Sequence, residues 1–313
     1  MRSAGASPEH ADERTSTEGR SQGQSVVVFS RLDPAVLDDP AHARTALREG
    51  LGRMAARGIP VVVASRATRA EVELLRDELG LTDPFIAENG AAVFVPRGYF
   101  PFPLPASGTR SGYHTFERSI AHDAVVRALR RAANQARVSV VGFSDMSISE
   151  VARETGLTLL QARLAKLREY DEPFHVLDTD GAARARLFRT LRGAGLQVWS
   201  EGRFDHAVGS ADMGACVGLL RGLYARGRSV LTVGVGAADA DLDLLKRVDV
   251  PVLVPSRSRR GPTAVTRSVP RARVARSANP EAWLEALEEA VREGPVGRPA
   301  YFSTSPASAS TSR

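Results

Sequence analysis

The sequence predicts an α/β protein built on a parallel sheet with helices on both faces. Three observations carry that prediction. Short, nearly continuous apolar runs recur at 26–29, 60–64, 229–234 and 250–254, as strands buried on both sides require. Helical stretches with marked starts fall between such runs, and this alternation folds into a doubly wound parallel sheet. At 313 residues and 43% hydrophobic content, the chain is long enough for a sizeable core plus a second domain or a large insertion.

The elements follow in order. Residues 1–24 are rich in Ser, Gly, Glu and Arg with almost no large apolar side chains, so a disordered tail is expected. The first strand, 26–29, runs into Arg31-Leu32-Asp33, and the second, 60–64, runs into Ser65. Thr68-x-x-Glu71 then fits a capping box, in which hydroxyl and carboxylate satisfy each other's orphan backbone amides. The same signature recurs at Ser147-x-x-Glu150 and Thr158-x-x-Gln161. Both lie in 97–209, a stretch with its own helices and short strands that interrupts the core. The core pattern returns with the strands 229–234 and 250–254, and Asn279-Pro280 sets a cap and a first-turn proline at the start of a last helix. The expected organisation is therefore a tail at 1–24, core at 25–96 and 210–295, an insertion at 97–209 and a Ser/Thr-rich tail at 296–313.

Composition narrows the function classes. The single cysteine, Cys216, excludes an internal disulfide or a multi-Cys metal site and reads as a small buried residue on a helix. No run of about 18 apolar residues exists to span a bilayer and the N-terminus is polar, so a cytoplasmic location without a membrane partner is expected. The net charge of +6 is uneven: 255–276 holds seven arginines and no acid, leaving −1 elsewhere. Clustered arginines are rewarded by counterion release on nucleic acid, yet no aromatics are interleaved, so a solvated loop is the expected reading. The Gly234-x-Gly236 pair lacks the third glycine of a dinucleotide fingerprint. Nothing in the sequence sets an oligomeric state.

Several segments resemble one family in order from about Ser25 to Val291. They are the loop 26–37, the stretch 58–72, the stretch 83–96 with Glu88-Asn89-Gly90, the segment 143–147, Arg168-Glu169-Tyr170, and 201–206. The chain is similar to the mannosyl-3-phosphoglycerate phosphatase family of the haloacid dehalogenase superfamily. That resemblance implies a haloacid dehalogenase-like core, an inserted α/β cap at 97–209 that closes over substrate, magnesium, and hydrolysis of a glycosyl-3-phosphoglycerate. It also implies a motif Asp-x-Asp-x-Thr after the first strand, the first Asp attacking phosphorus and the second protonating the leaving group.

Here the chain departs from the pattern. Arg31 stands at the nucleophile position, Asp33 keeps the acid position and Ala35 replaces the Thr. A guanidinium stays protonated and has no nucleophilic oxygen. Ser65 keeps the phosphate-binding hydroxyl of the second motif, with a bond to nearby backbone as its alternative. The phosphate-holding Lys of the third motif is Met213, which carries no charge to neutralise a phosphate. In the fourth motif Ala237 replaces the principal metal-binding Asp and Ala240 the Asn, while Asp241 is kept. Asp239 is a new acid that fits either a displaced magnesium site with Asp241 or an ordinary first helical turn. For the ligand, the resemblance points to Glu88, Asn89, Gly90, Arg168 and Arg203, the arginines suiting carboxylate and phosphate groups, with surface ion pairs as the alternative. His206 is read as a packed or surface histidine.

The leading expectation is a catalytically impaired relative, a pseudophosphatase that binds a phosphorylated sugar acid or a partner protein. Two alternatives stay open: an active magnesium-dependent phosphomonoesterase running on displaced acids such as Asp239, and a basic nucleic-acid tether through 255–276.

Overall fold

The computed structural model of the chain describes residues 25–32, 41–105, 107–178, 180–227, 229–236, 241–254, 267–276 and 280–293. The expected tails, Asp33, Ala35, Ala237, Asp239, Ala240 and the 255–266 part of the basic segment lie outside them.

In chain order the core opens with β1 (Ser25–Ser30), α1 (Ala41–Ala56), β2 (Val61–Ala64), α2 (Arg69–Leu79) and β3 (Phe85–Ala87). A 3-10 turn (Glu88–Gly90) leads into β4 (Ala92–Pro96), β5 (Gly108–Arg110) and β6 (Tyr113–Glu117). There follow α3 (His122–Ala136), β7 (Val140–Gly142), α4 (Ile148–Thr155), α5 (Leu159–Ala165), β8 (Asp171–Val176), α6 (Gly181–Gly193), β9 (Gln197–Glu201) and β10 (Phe204–Val208). The chain returns with α7 (Met213–Tyr224), β11 (Val230–Gly236), α8 (Leu242–Arg247), β12 (Val250–Leu253), β13 (Arg273–Val274) and α9 (Pro280–Glu293).

Two sheets result. The larger has the order β13-β12-β11-β1-β2-β3-β4-β6-β5, and the smaller is β7-β8-β10-β9. From β13 to β3 the larger sheet is parallel, with β1 between β11 and β2 at its centre. Strand alternation divides its side chains between two cores. Val28, Val63 and Val233 pack with α1, α2 and α9 through Leu51, Leu75 and Leu287. Val27, Phe29 and Val62 pack on the other face with α7 and α8 through Val217, Leu220 and Leu244. Both faces being covered is why these strands read as unbroken apolar runs. All three capping boxes form as the spacing predicts, at Thr68, Ser147 and Thr158.

The stretch expected as an insertion, 97–209, contributes to both sheets. β5 and β6 belong to the larger sheet, extending it antiparallel from β4. Their anchor is aromatic: Phe85 stacks on Phe94 at 4.9 Å, and Tyr113 meets Phe85 edge-on at 5.3 Å. The exposed β5 carries no apolar alternation, so the sequence did not mark it as core. The smaller, wholly antiparallel sheet and its helices occupy 122–208. This cap has one core under α3 and α6, around Leu129, Phe174 and Leu187, and a second around Phe143, Val151 and Phe204 on α4 and α5.

Candidate functional site at the strand ends and under the cap

The carboxyl ends of β1, β2 and β11 meet where the sheet's catalytic positions are expected. Arg31 leaves β1 with its amide bonded to the Val235 carbonyl at 2.9 Å, which sets its side chain beside β11. Its Nε lies 2.9 Å from Asp241 Oδ1, and both side chains are 5% exposed. Gly236 makes room for this acid, since a Cβ there would fall 2.7 Å from the Asp241 Cβ. A fixed cation thus neutralises a fixed anion out of reach of water. The arrangement does not fit magnesium: the retained carboxylate is already taken, and a permanent positive charge would face the ion at short range. Among the described residues no group of three or more His, Cys, Asp or Glu side chains is arranged to hold a metal. Asp239, the other expected metal contact, lies outside the described residues.

Ser65 is fully buried and its Oγ accepts the Ala67 amide at 3.2 Å, the local backbone bond weighed against a phosphate contact. Met213 packs into the core face of α7 with Cys216 and Val217. The Cys216 thiol donates to the Gly90 carbonyl at 3.3 Å, and burial pushes it up to about 12.

Just beyond β3, Glu88, Asn89 and Gly90 adopt φ values of 46°, 61° and 92°. The left-handed region is free for glycine but costs about 1–3 kcal/mol for an ordinary residue held there. Glu88 gains a compensation. Its carboxylate accepts the backbone amides of Glu169 at 2.8 Å, Tyr170 at 2.9 Å and Asp171 at 2.7 Å. A core side chain therefore terminates the cap strand β8. Burial pushes Glu88 up to about 7, against the opposing pull of the Arg168 guanidinium. Gly90 is pressed against α7, where a Cβ would lie 2.5 Å from the Met213 nitrogen. Glu88 and Gly90, both expected as ligand contacts, fasten the cap and seat α7.

Arg168 is held by the carbonyls of Arg66 at 3.0 Å and Ala165 at 3.2 Å and by Asp171 Oδ2 at 3.2 Å. Asp171 also faces His206 Nδ1 at 2.9 Å. Burial raises Asp171, but His206 and Arg168 outweigh it and hold the acid below the usual carboxylate range. Above this network lies a cavity of about 380 Å³ between core and cap, lined among others by Arg66, Asn89, Arg168, Trp199, Glu201 and His206. The Trp199 and His206 rings are parallel, 5.3 Å apart at 7°. Arg66 and Glu201 form an ion pair across its mouth from core to cap.

Of the expected ligand residues, Asn89 and Arg168 line this cavity and Glu88 sits behind it. Arg203 is elsewhere. Its side chain is 70% exposed and reaches Glu154 at 3.4 Å, the surface ion pair held as its alternative. Sequence reasoning missed Arg66 and Trp199. Arg66 follows Ser65 directly, and Trp199 is one of only two tryptophans in the chain. Chemically, the cavity offers a flat aromatic face and a guanidinium paired with a carboxylate, a combination suited to a sugar ring bearing an anion.

No family model matches the chain. It is 34% identical over 229 residues to a glucosyl-3-phosphoglycerate/mannosyl-3-phosphoglycerate phosphatase of Methanococcoides burtonii, covering 73% of this chain and 84% of that protein. A mannosyl-3-phosphoglycerate phosphatase of Pyrococcus furiosus is 30% identical over 231 residues, covering 73% and 90%. Among solved structures, a haloacid dehalogenase-like hydrolase from Bacteroides thetaiotaomicron superposes with a TM-score of 0.57 at 14% identity, covering 86% of this chain and 98% of that one. A second phosphatase of that superfamily from the same organism gives 0.56 at 12% identity, covering 89% and 98%. The two structures establish a shared fold.

Proposed function

The chain belongs to the mannosyl-3-phosphoglycerate phosphatase family, and from that premise we propose that it binds a phosphorylated sugar acid under the cap without hydrolysing it. The observation that carries this reading is the buried pair of Arg31 and Asp241. A nucleophile position filled by a cation, locked to the acid that a metal would need, supports loss of phosphoryl transfer. Removing a nucleophile from a hydrolase whose parts act as a unit costs on the order of a million-fold in turnover.

The cleft supports recognition. An anionic group of the ligand competes with Glu201 for Arg66, and the apolar face of the sugar lies on Trp199. His206, stacked on that indole and bonded to Asp171, holds the ring at its angle. Arg168 keeps the Arg66 backbone in place. Binding is expected without magnesium, since Arg66 and Trp199 need no metal to meet the ligand.

The test is twofold. Calorimetry with mannosyl-3-phosphoglycerate or its glucosyl counterpart is expected to show one site with the same affinity in magnesium and in chelator. Phosphate release from the same ligands with magnesium is expected to stay at background. Turnover abolished by Asp33→Ala would establish the phosphomonoesterase alternative instead. Absence of heat and of any thermal shift at millimolar ligand would remove the binding reading.

A further inference from the structure

A second concavity, of about 970 Å³, lies beside the two connections between core and cap and shares no lining residue with the cavity under the cap. Arg118, Lys246, Arg247 and Arg271 line it, against two acids, Asp212 and Asp243. Asp212 is engaged, its Oδ1 accepting the Ala215 amide at 2.8 Å. Arg271 is held by the Val248 carbonyl at 3.1 Å. Arg118, Lys246 and Arg247 have no carboxylate within ion-pair distance among the described residues. That contrasts with the cap–core junction, where Arg66, Arg69 and Arg168 all meet acids.

Gathering unpartnered cations around one hollow is unfavourable unless something of opposite charge occupies it. One of them is specifically accommodated. Gly214 leaves the surface of α7 bare, so that the Arg247 side chain lies across it with Cγ 3.0 Å from where a Cβ would be. We propose that this basin is a second ligand site, for a small anion carrying several phosphate groups. Its volume lies at the upper end of small-molecule sites and leaves room for more than one phosphate group, while four cations spread around it can each meet a different one. The basic segment recognised in the sequence contributes Arg271 to it.

The position gives such a ligand leverage. Arg118 lies on the first connection to the cap, and 210–212 form the second. The Gly209 and Ser210 amides both donate to Ser119 Oγ, at 3.1 and 3.3 Å, tying the two connections together. The Arg118 and Asp212 amides bond to the carbonyls of Ala91 and Gly90, at 2.8 and 3.2 Å, next to Asn89 of the other cavity. An anion seated on Arg118 and α8 would brace both connections against the core.

The probe is inorganic tripolyphosphate, titrated calorimetrically into the full chain at low salt, with ATP as a second arm. One equivalent is expected to bind, weakening about tenfold or more as salt screens the contacts. Equal affinity for both probes would mean that the phosphate chain alone is read, and tighter ATP that a nucleoside is read too. Lys246→Glu, at an exposed position, is expected to cost at least tenfold; Arg118→Gln serves as a second variant should that one unfold. Hydrogen exchange is expected to slow at 118–120 and 209–212. No binding of tripolyphosphate, binding unmoved by Lys246→Glu and Arg118→Gln, protection confined to the cap cavity, or affinity for an oligonucleotide without affinity for tripolyphosphate would each overturn the site. Trp199→Ala leaves tripolyphosphate binding unchanged, so failure here is distinct from failure of the cap cavity.

Discussion

Two charged clusters of this molecule differ in what their charges face. At the strand ends, Arg31 and Asp241 cancel each other in a site closed to water. Behind the cap cavity, Glu88, Arg168, Asp171 and His206 form a wider network whose outer members face a hollow. The first cluster spends its charge internally and leaves none for a phosphate or a metal. The second lies behind a cavity whose wall carries Asn89, Arg168 and Trp199. Under the proposed binding role, substituted catalytic positions and an intact pocket coexist because they use separate side chains.

The largest effect expected in either cluster is that of Glu88→Ala, which strands three buried amides at about 1–3 kcal/mol each. Urea unfolding should show the whole cap loosening; a loss under about 1 kcal/mol would mean water replaces the carboxylate. Arg31→Ala removes one partner of the buried pair and is expected to cost about 3–5 kcal/mol, with no change in ligand affinity under the cap. Equal damage to binding would show that the two clusters are one.

A pH series sharpens the contrast. Glu88 titrates near 7 in the folded chain against 4.5 in the unfolded one, so the folded form holds the extra proton between those values. Its contribution to stability is complete below about 4.5 and is lost as pH rises through about 7. The stability difference between wild type and Glu88→Gln should accordingly fall across that window, and a flat difference would contradict the assignment. Trp199→Ala is expected to weaken sugar-phosphate binding about tenfold, the loss of roughly one aromatic face, with the unfolding midpoint little changed. Arg203→Ala should do almost nothing, within about 0.5 kcal/mol in stability and without effect on binding.

The doubly buried strands, the three capping boxes and the proline opening α9 were legible in the sequence because each is a local rule written in adjacent residues. The hairpin of β5 and β6 was not, since its only binding element is an aromatic cluster assembled from three strands. The same divide runs through the site. Motif order located Ser65, Glu88, Asn89, Arg168 and Asp241, but their roles depended on partners far along the chain. Glu88 meets amides some eighty residues away, and Arg31 finds Asp241 only once β1 and β11 pair. Arg203 shares a segment with the cleft residue Glu201 yet points outward, because it lies past the end of β9 in a turn whose Gly202 has a φ of 59°.

The ion pair at the strand ends also ties two distant stretches of sequence to each other. Arg31 follows β1 and Asp241 follows β11, and the pair exists only when these strands lie side by side. Changing one position alone removes half of a buried pair, so the two positions are expected to vary together or not at all. Two residues from opposite ends of the described core thus behave as one.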